Sequence, residues 1–357
     1  MGKPRRQDKK QRSFASKLII SFVLVLMCGG AYVAYHYYQQ VFGSNISLAK
    51  KQSPYFYIST GASYQKVVQQ LFEQGYIINK ESFDWVARKK NYPNKVKAGR
   101  YLLVDKMNNN ELVNLLRSGD QAPVNVVFNN VRTLEELAGQ VATYLEPDSI
   151  AFISTFNNPY LVDSLGFNRF SFPALFIPNT YEFYWNTSAK QFINRMALEY
   201  KKFWNADRKA LCRKITLSQS QVSTLASIVK AETSKLAEAR KVAGVYVNRL
   251  KRNIALQADP TLIWALKDFT ITRVLNVHKQ IDSPYNTYRN KGLPPGPINL
   301  PEPHYIDAVL NYESHNYIYF CAKEDFSGYH NFASTYAKHL KNARQYQRAL
   351  NQRKIFR

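Results

Sequence analysis

Cysteine is scarce in this chain. The three present, Cys28, Cys212 and Cys321 in 357 residues, form no CxxC or Cys/His ligand spacing, which argues against zinc. Cys212 and Cys321 could pair in an oxidising compartment, and their spacing alone does not decide it. Acidic residues are also few: 25 Asp and Glu stand against 49 Lys and Arg, a formal net charge of +24. A balance that basic calls for an anionic partner, whether nucleic acid, an acidic lipid surface or an acidic polymer. Long apolar runs are missing everywhere except near the N-terminus, so the chain reads as single-pass. Aromatic residues, by contrast, are abundant, with 25 Tyr and 21 Phe. Such a composition excludes bulk disorder, and the length allows two or three compact units with real cores.

The N-terminus sets the compartment. Residues 1–17 carry Lys3, Arg5, Arg6, Lys9, Lys10, Arg12 and Lys17 against one acid, Asp8. Residues 18–38, LIISFVLVLMCGGAYVAYHYY, follow, and no charged side chain occurs between Lys17 and Lys50. About 20 apolar residues span a bilayer. The basic flank places residues 1–17 in the cytoplasm, and the tyrosines at the far end suit the outer interface. A cleaved signal peptide would have a shorter apolar region ending at a small-residue site, and none is found here. A lipoprotein signal at Cys28 is weak because the large Met27 precedes it. The expectation is an uncleaved anchor in the inner (plasma) membrane, with residues 39–53 as a polar linker and the remainder extracytoplasmic. That location disfavours nucleic acid, as does the lack of any nucleic-acid motif.

Beyond the linker, residues 54–120 read as a small α/β unit. A strand at 55–58 precedes a helix capped by Ser63 and carrying Val67, Val68 and Leu71. Phe83, Val86 and Ala87 mark a second helix, 99–104 a strand, and Leu112, Val113, Leu115 and Leu116 a third helix closed by Gly119. Residues 121–215 form a second subdomain and connector. There, a strand at 124–128 and a helix with the capping box Thr133-Leu-Glu-Glu136 repeat the strand–turn–helix order. Repetition and chance similarity both account for that pattern. Residues 147–185, rich in Phe, Pro and Asn, show no assignable period, and 190–203 look helical. Residues 216–357 are expected to carry the chemistry. The fold class is therefore α+β: one transmembrane helix, a small α/β unit and a mixed α+β catalytic domain.

A capping box, Ser218-Gln-Ser-Gln221, starts a helix whose apolar stripe is Val222, Leu225, Ile228 and Val229. Glu232 lies three residues after Val229 and four after Ile228, so a carboxyl group continues the buried stripe. Burial raises a carboxyl pKa, and an acid still protonated near neutral pH can protonate a leaving-group oxygen, as glycosidic cleavage requires. Alternatively, Glu232 caps the helix end or pairs with a neighbouring Lys or Arg. A second stripe, Ala239, Val242, Tyr246 and Leu250, follows a short break near Ser234. Residues 256–261 and 283–301, poor in helix formers, read as rigid loops where binding residues concentrate. Tyr285, Asn286, Tyr288 and Asn299 there offer stacking faces and amides suited to sugars, although ordinary loop chemistry explains each one equally well. His315, His330 and His339 lack metal-ligand spacing and read as structural or cleft residues.

The stretch LASIVKAETSKLAEARKVAGVYVNRLKRNIALQADPTLIWAL at 225–266 resembles the MltG/YceG-like endolytic murein transglycosylase family. So do YNTYRNKGLPPGPI at 285–298 and YIYFCAKEDFSGYHNFASTYAKH at 317–339, in the same order. Residues 55–119 are similar to the family's small LysM-like unit. The resemblance puts the family's catalytic glutamate, in its ASIVxxE motif, on Glu232. Where relatives often have a second acid, this chain has Lys230. Glu238 and Arg240 match the family's ER pair loosely, being separated by Ala239. Asn248, Gln257, Asp259, Asn286 and Tyr288 match positions expected to line the cleft. After Ile298 the chain reads NLPEP, without the glycine that usually follows the proline. The resemblance implies peptidoglycan glycan strands as substrate, cut between N-acetylmuramic acid and N-acetylglucosamine to leave 1,6-anhydro ends. It implies no cofactor or metal, membrane lipids contacted through the anchor, and work near peptidoglycan synthases. A hydrolytic muramidase using Asp259 as second carboxylate, and a non-catalytic wall-binding scaffold, are the alternatives.

Overall fold

The structure, a computed structural model, describes residues 7–49 and 53–353. It is mixed α+β, and its contacts divide it into two compact units: residues up to Pro123 with Tyr184–Asn186, and Val124–Phe183 with the chain from Thr187 onward. Residues 1–6 of the expected basic tail lie outside the described residues.

Unit 1 begins with α1 (Gln7–Phe42). Its segment Ser16–Phe42 is long and apolar enough to cross a membrane, and none of its most apolar 18-residue window is buried inside the protein. Next come β1 (Tyr55–Ile58), α2 (Tyr64–Glu73), α3 (Lys80–Lys89), β2 (Gly99–Leu102) and α4 (Asn109–Ser118). β1 and β2 pair antiparallel, from Tyr55 opposite Leu102 to Ile58 opposite Gly99. The helices start where the sequence supplies caps. Ser63 accepts from the Lys66 N–H, and Asn108 and Glu111 form a reciprocal capping box. Gly119 ends α4 in the left-handed region at φ 73°, a conformation that costs glycine nothing. Phe56, Val67, Leu71, Phe83, Tyr101 and Leu112 are completely buried between sheet and helices.

The expected linker at 39–53 is instead largely built into this unit. α1 runs on to Phe42. Ile46 lies in the core, 1% exposed, and bridges to Ile77. Asn45 is buried, and its amide group binds Asn79 O at 2.9 Å and Asn109 Oδ1 at 2.7 Å. A polar sequence reads as linker only when its polar groups are presumed to face water; here they satisfy one another.

Unit 2 opens with β3 (Val124–Phe128), followed by α5 (Leu134–Ala142), α6 (Ser149–Phe156), α7 (Pro159–Ser164) and β4 (Asn179–Phe183), which pairs antiparallel with β3. The strand–helix similarity thus extends further: in each unit the first strand pairs with a strand that returns after intervening helices. The Phe-rich stretch without a period is an aromatic core. Phe152, Phe176 and Phe183 pack on Phe192 with ring centroids 5.6, 6.2 and 5.3 Å away. Phe192 belongs to α8 (Ala189–Phe203), which precedes α9 (Ala206–Ile215). Then come α10 (Gln219–Glu232), α11 (Leu236–Lys251), α12 (Asp259–Leu266), α13 (Pro303–Leu310), the antiparallel hairpin β5 (Tyr319–Ala322) and β6 (His330–Ala333), and α14 (Tyr336–Gln352). α10 is the centre of this second core: Val222, Leu225, Ile228 and Val229 are fully buried with Val242 of α11 and Val309 of α13. Cys212 and Cys321 are separate free thiols.

Candidate active site

Residue 232 ends α10 because Thr233 takes an extended conformation and turns the chain toward α11. The Glu232 side chain is only partly accessible to solvent. Densely surrounding protein, above all, pushes its carboxyl up to about 7, and the nearby charge of Asp259 adds to the rise. The opposing influence is Tyr246 on α11, whose hydroxyl donates to Glu232 Oε1 at 2.7 Å and favours the ionised form. Tyr246 is buried, and its ring meets Phe320 of β5 edge to face at 5.9 Å. An acid so placed holds its proton near neutral pH, and a phenol is ready to receive the charge once that proton leaves.

A second carboxyl–phenol pair lies within electrostatic reach. Tyr288 donates to Asp259 Oδ1 at 2.5 Å, and the Glu232 charge contributes to holding the Tyr288 hydroxyl protonated. Asp259 is exposed and opens α12. Residues 256–261, expected as loop, therefore contain a helix start. Pro260 is tolerated there because a first-turn N–H has no helical partner to lose.

The walls are held by backbone carbonyls and buried polar side chains. Arg249 donates to Ala255 O, Ile318 O and Gln257 Oε1 at 2.9, 2.7 and 2.6 Å. Ser227, five residues before Glu232, accepts from the Ile298 N–H at 3.0 Å, and its carbonyl accepts from Asn299 Nδ2 at 2.8 Å. A groove of about 510 Å³ borders this region, lined in part by Lys230, Ala231, Pro260, Trp264 and Asn299. Glycine is required at 296, where a Cβ would stand 1.8 Å from Phe170 O.

A model of the YceG-like family matches residues 56–345. The chain belongs to the YceG-like family. It is 26% identical over 345 residues to a protein of Streptococcus pneumoniae serotype 2 named endolytic murein transglycosylase, a match covering 87% of this chain and 62% of that one. A Bacillus subtilis protein of the same name is 34% identical over 179 residues, covering 49% of this chain and 48% of the relative. The chain thus spans less than two thirds of the length of these relatives. A crystal structure of a YceG-like protein from Listeria monocytogenes aligns with TM-score 0.53 and 27% identity, over 80% of this chain and 98% of that one.

Within this YceG-like chain, the residues expected to line the cleft divide into two groups. Gln257 and Asp259 are exposed and Tyr288 partly so; Asp259 and Tyr288 lie within electrostatic reach of Glu232, and Gln257 is bonded to Arg249. Asn286 is enclosed by protein, whereas Asn248 stays partly exposed while it holds backbone carbonyls. Asn286 is 0% exposed, and its amide nitrogen is spent on Lys279 O and Ile281 O at 2.9 and 2.8 Å. Asn248 donates to His315 O and Tyr317 O at 2.6 and 2.9 Å, fixing the approach to β5. Glu238 is likewise structural: it receives the His330 N–H at 3.0 Å and lies 2.7 Å from that imidazole, tying β6 to α11. Two groups packed at the site escaped the sequence reading. Tyr246 counted as one apolar stripe position among several, and Arg249 carried no motif. Only packing two helices side by side brings Tyr246 to Glu232.

Proposed function

We propose that this chain is an endolytic lytic transglycosylase acting on peptidoglycan glycan strands, with Glu232 as the single catalytic carboxyl group. The observation that carries the reading is a partly accessible acid whose burial holds its proton to about pH 7 beside the Tyr246 hydroxyl. The family assignment and the names of the relatives support it. Glu232 protonates the glycosidic oxygen as the bond from C1 of N-acetylmuramic acid to N-acetylglucosamine breaks. The resulting carboxylate, stabilised by Tyr246, accepts the proton of the muramic acid 6-hydroxyl as that oxygen bonds to C1. The products are a shortened strand and a 1,6-anhydro end, and Glu232 regains its proton. Gln257, Asp259 and Tyr288 are the substrate-contacting residues in this reading.

α1 serves as the single-pass inner-membrane anchor, with its N-terminus in the cytoplasm and the chain after α1 outside. Unit 1 acts as a LysM-like glycan-binding element, a role supported by its β1–α2–α3–β2 order with antiparallel strands. Peptidoglycan synthases are the expected neighbours, and cutting new strands limits their length.

Asp259 favours one competing reading, since its charge already reaches Glu232. A second carboxylate could activate water and give hydrolysis instead. Digestion of purified glycan by the full chain, followed by mass spectrometry of the ends, decides between them. Anhydro ends are expected; reducing ends would reassign the reaction to a muramidase.

The pH profile has a defined sign. The reaction starts from protonated Glu232, so activity falls as pH rises through about 7. Removing the Tyr246 hydroxyl withdraws a donor to the ionised carboxylate and raises the pKa further. Tyr246→Phe is therefore expected to move the alkaline limb of kcat/KM to higher pH while lowering kcat; an unmoved limb would separate Tyr246 from the acid's titration.

A further inference from the structure

α3 is laid back along the end of α1, and three contacts within unit 1 fix the register. Asn45 Nδ2 donates to Asn79 O at 2.9 Å. Asn109 Nδ2 bridges Gln40 O and Ser82 Oγ at 2.8 and 3.0 Å. The rings of Tyr37 and Trp85 lie 5.4 Å apart. Following the chain back from 45 into α1 at 40 and 37 thus follows it forward from 79 into α3 at 82 and 85. The next turn of α3, with Arg88 and Lys89, continues toward the level of residues about 33–34 of α1, both helices rising about 1.5 Å per residue.

That level has a chemical meaning if α1 spans a bilayer. Counting from Leu18, about 17 to 20 residues cross the hydrocarbon, which places the outer boundary between Ala34 and Tyr37. The register then sets Trp85 at that boundary and the Lys89 backbone about one turn deeper, from which its ammonium reaches back over the Trp85 ring. Tryptophan favours that interface because its ring is apolar and its N–H polar. A groove of about 820 Å³ opens there, lined by Lys80, Glu81, Asp84, Trp85, Arg88 and Lys89. Its charges are not equivalent. Asp84 is committed to Arg88 at 2.7 Å and to the Tyr64 hydroxyl at 2.8 Å. The adjacent Lys90 is occupied by Asn110 and Asn114. Glu81 stands at the start of α3, away from its Trp85–Lys89 end. Lys89 makes no ion pair among the described residues, and its ammonium lies over the Trp85 ring at 5.8 Å.

We propose that this groove takes the phosphate-bearing headgroup of a bilayer phospholipid, with Lys89 meeting the phosphate and Trp85 resting at the boundary with the acyl chains. Unit 1 is then held on the outer leaflet by a second contact beside α1, at a fixed height. The inference rests on α1 being a membrane span.

The test uses the full chain in nanodiscs of phosphatidylcholine and phosphatidylglycerol containing lipid brominated either near the headgroup or near the chain ends. The chain has four tryptophans, so Trp85 is read by difference against Trp85→Phe. Shallow bromine is expected to quench a component that Trp85→Phe lacks, and deep bromine to leave that component bright. Lys89→Glu, a surface change that spares the core, is expected to reduce the shallow quenching, more in discs with phosphatidylglycerol than in phosphatidylcholine alone. Equal quenching in wild type and Trp85→Phe would overturn the lipid contact, and unchanged quenching in Lys89→Glu would overturn the phosphate role. A chain that fails to copurify with the discs removes the span and the contact together. One that copurifies with Trp85 unquenched removes the contact alone.

Discussion

Glu232→Gln is expected to lower the rate of glycan cleavage by about 10⁴-fold, the upper end of what a positioned general acid–base contributes, because one carboxyl group serves both half-steps. The substitution changes little else. An amide has nearly the shape of a protonated carboxyl, and its carbonyl oxygen can still accept from the Tyr246 hydroxyl, so the local hydrogen bond survives. The amide has no proton of suitable acidity to give to the bridging oxygen. Thermal unfolding of the variant should match the wild type, which separates lost chemistry from lost structure. Cleavage persisting at the wild-type rate, with either kind of end, would move the reaction away from this residue.

Lys230→Ala should cost about 3 kcal/mol of stability, in the range for breaking a buried ion pair by removing one partner. The Lys230 ammonium lies 2.6 Å from Glu302 and 3.1 Å from Leu300 O, and the two side chains are only 13% and 19% exposed. Removing the lysine leaves the Glu302 carboxylate half-enclosed with no cation, just ahead of α13. Chemical denaturation should show the loss directly. Lys230→Met, which restores the aliphatic bulk without the charge, should recover little of it.

The sequence made local features legible and left cross-chain features hidden. Capping residues and helical stripes mark α2, α4, α5 and α10 because each signal lies within a turn or two of the element it controls. Glu232 was readable for the same reason, as a polar side chain at the end of an apolar stripe. The family resemblance added the cleft residues but could not tell ligand from scaffold. Asn286 and Asn248 sit at matching positions, yet their amide nitrogens bond to carbonyls that no linear pattern reveals. The aromatic core around Phe192 stayed unreadable because rings from β3, α6, the stretch at Phe176, β4 and α8 meet without a common period. Asn45 was misread because burial of a polar group depends on partners 34 and 64 residues away. Tyr246 shows the limit most clearly: its hydroxyl matters only because two adjacent helices are juxtaposed.

Ser227 and Glu232 share one helix, and the first clamps the loop at 298–299 while the second is the proposed proton donor. Inserting one residue between them would swing the carboxyl group about 100° around the helix axis while the clamp stayed in place, so catalyst and cleft wall would part company. The spacing between these two positions is consequently frozen against insertion and deletion, even where individual side chains along it are free to vary.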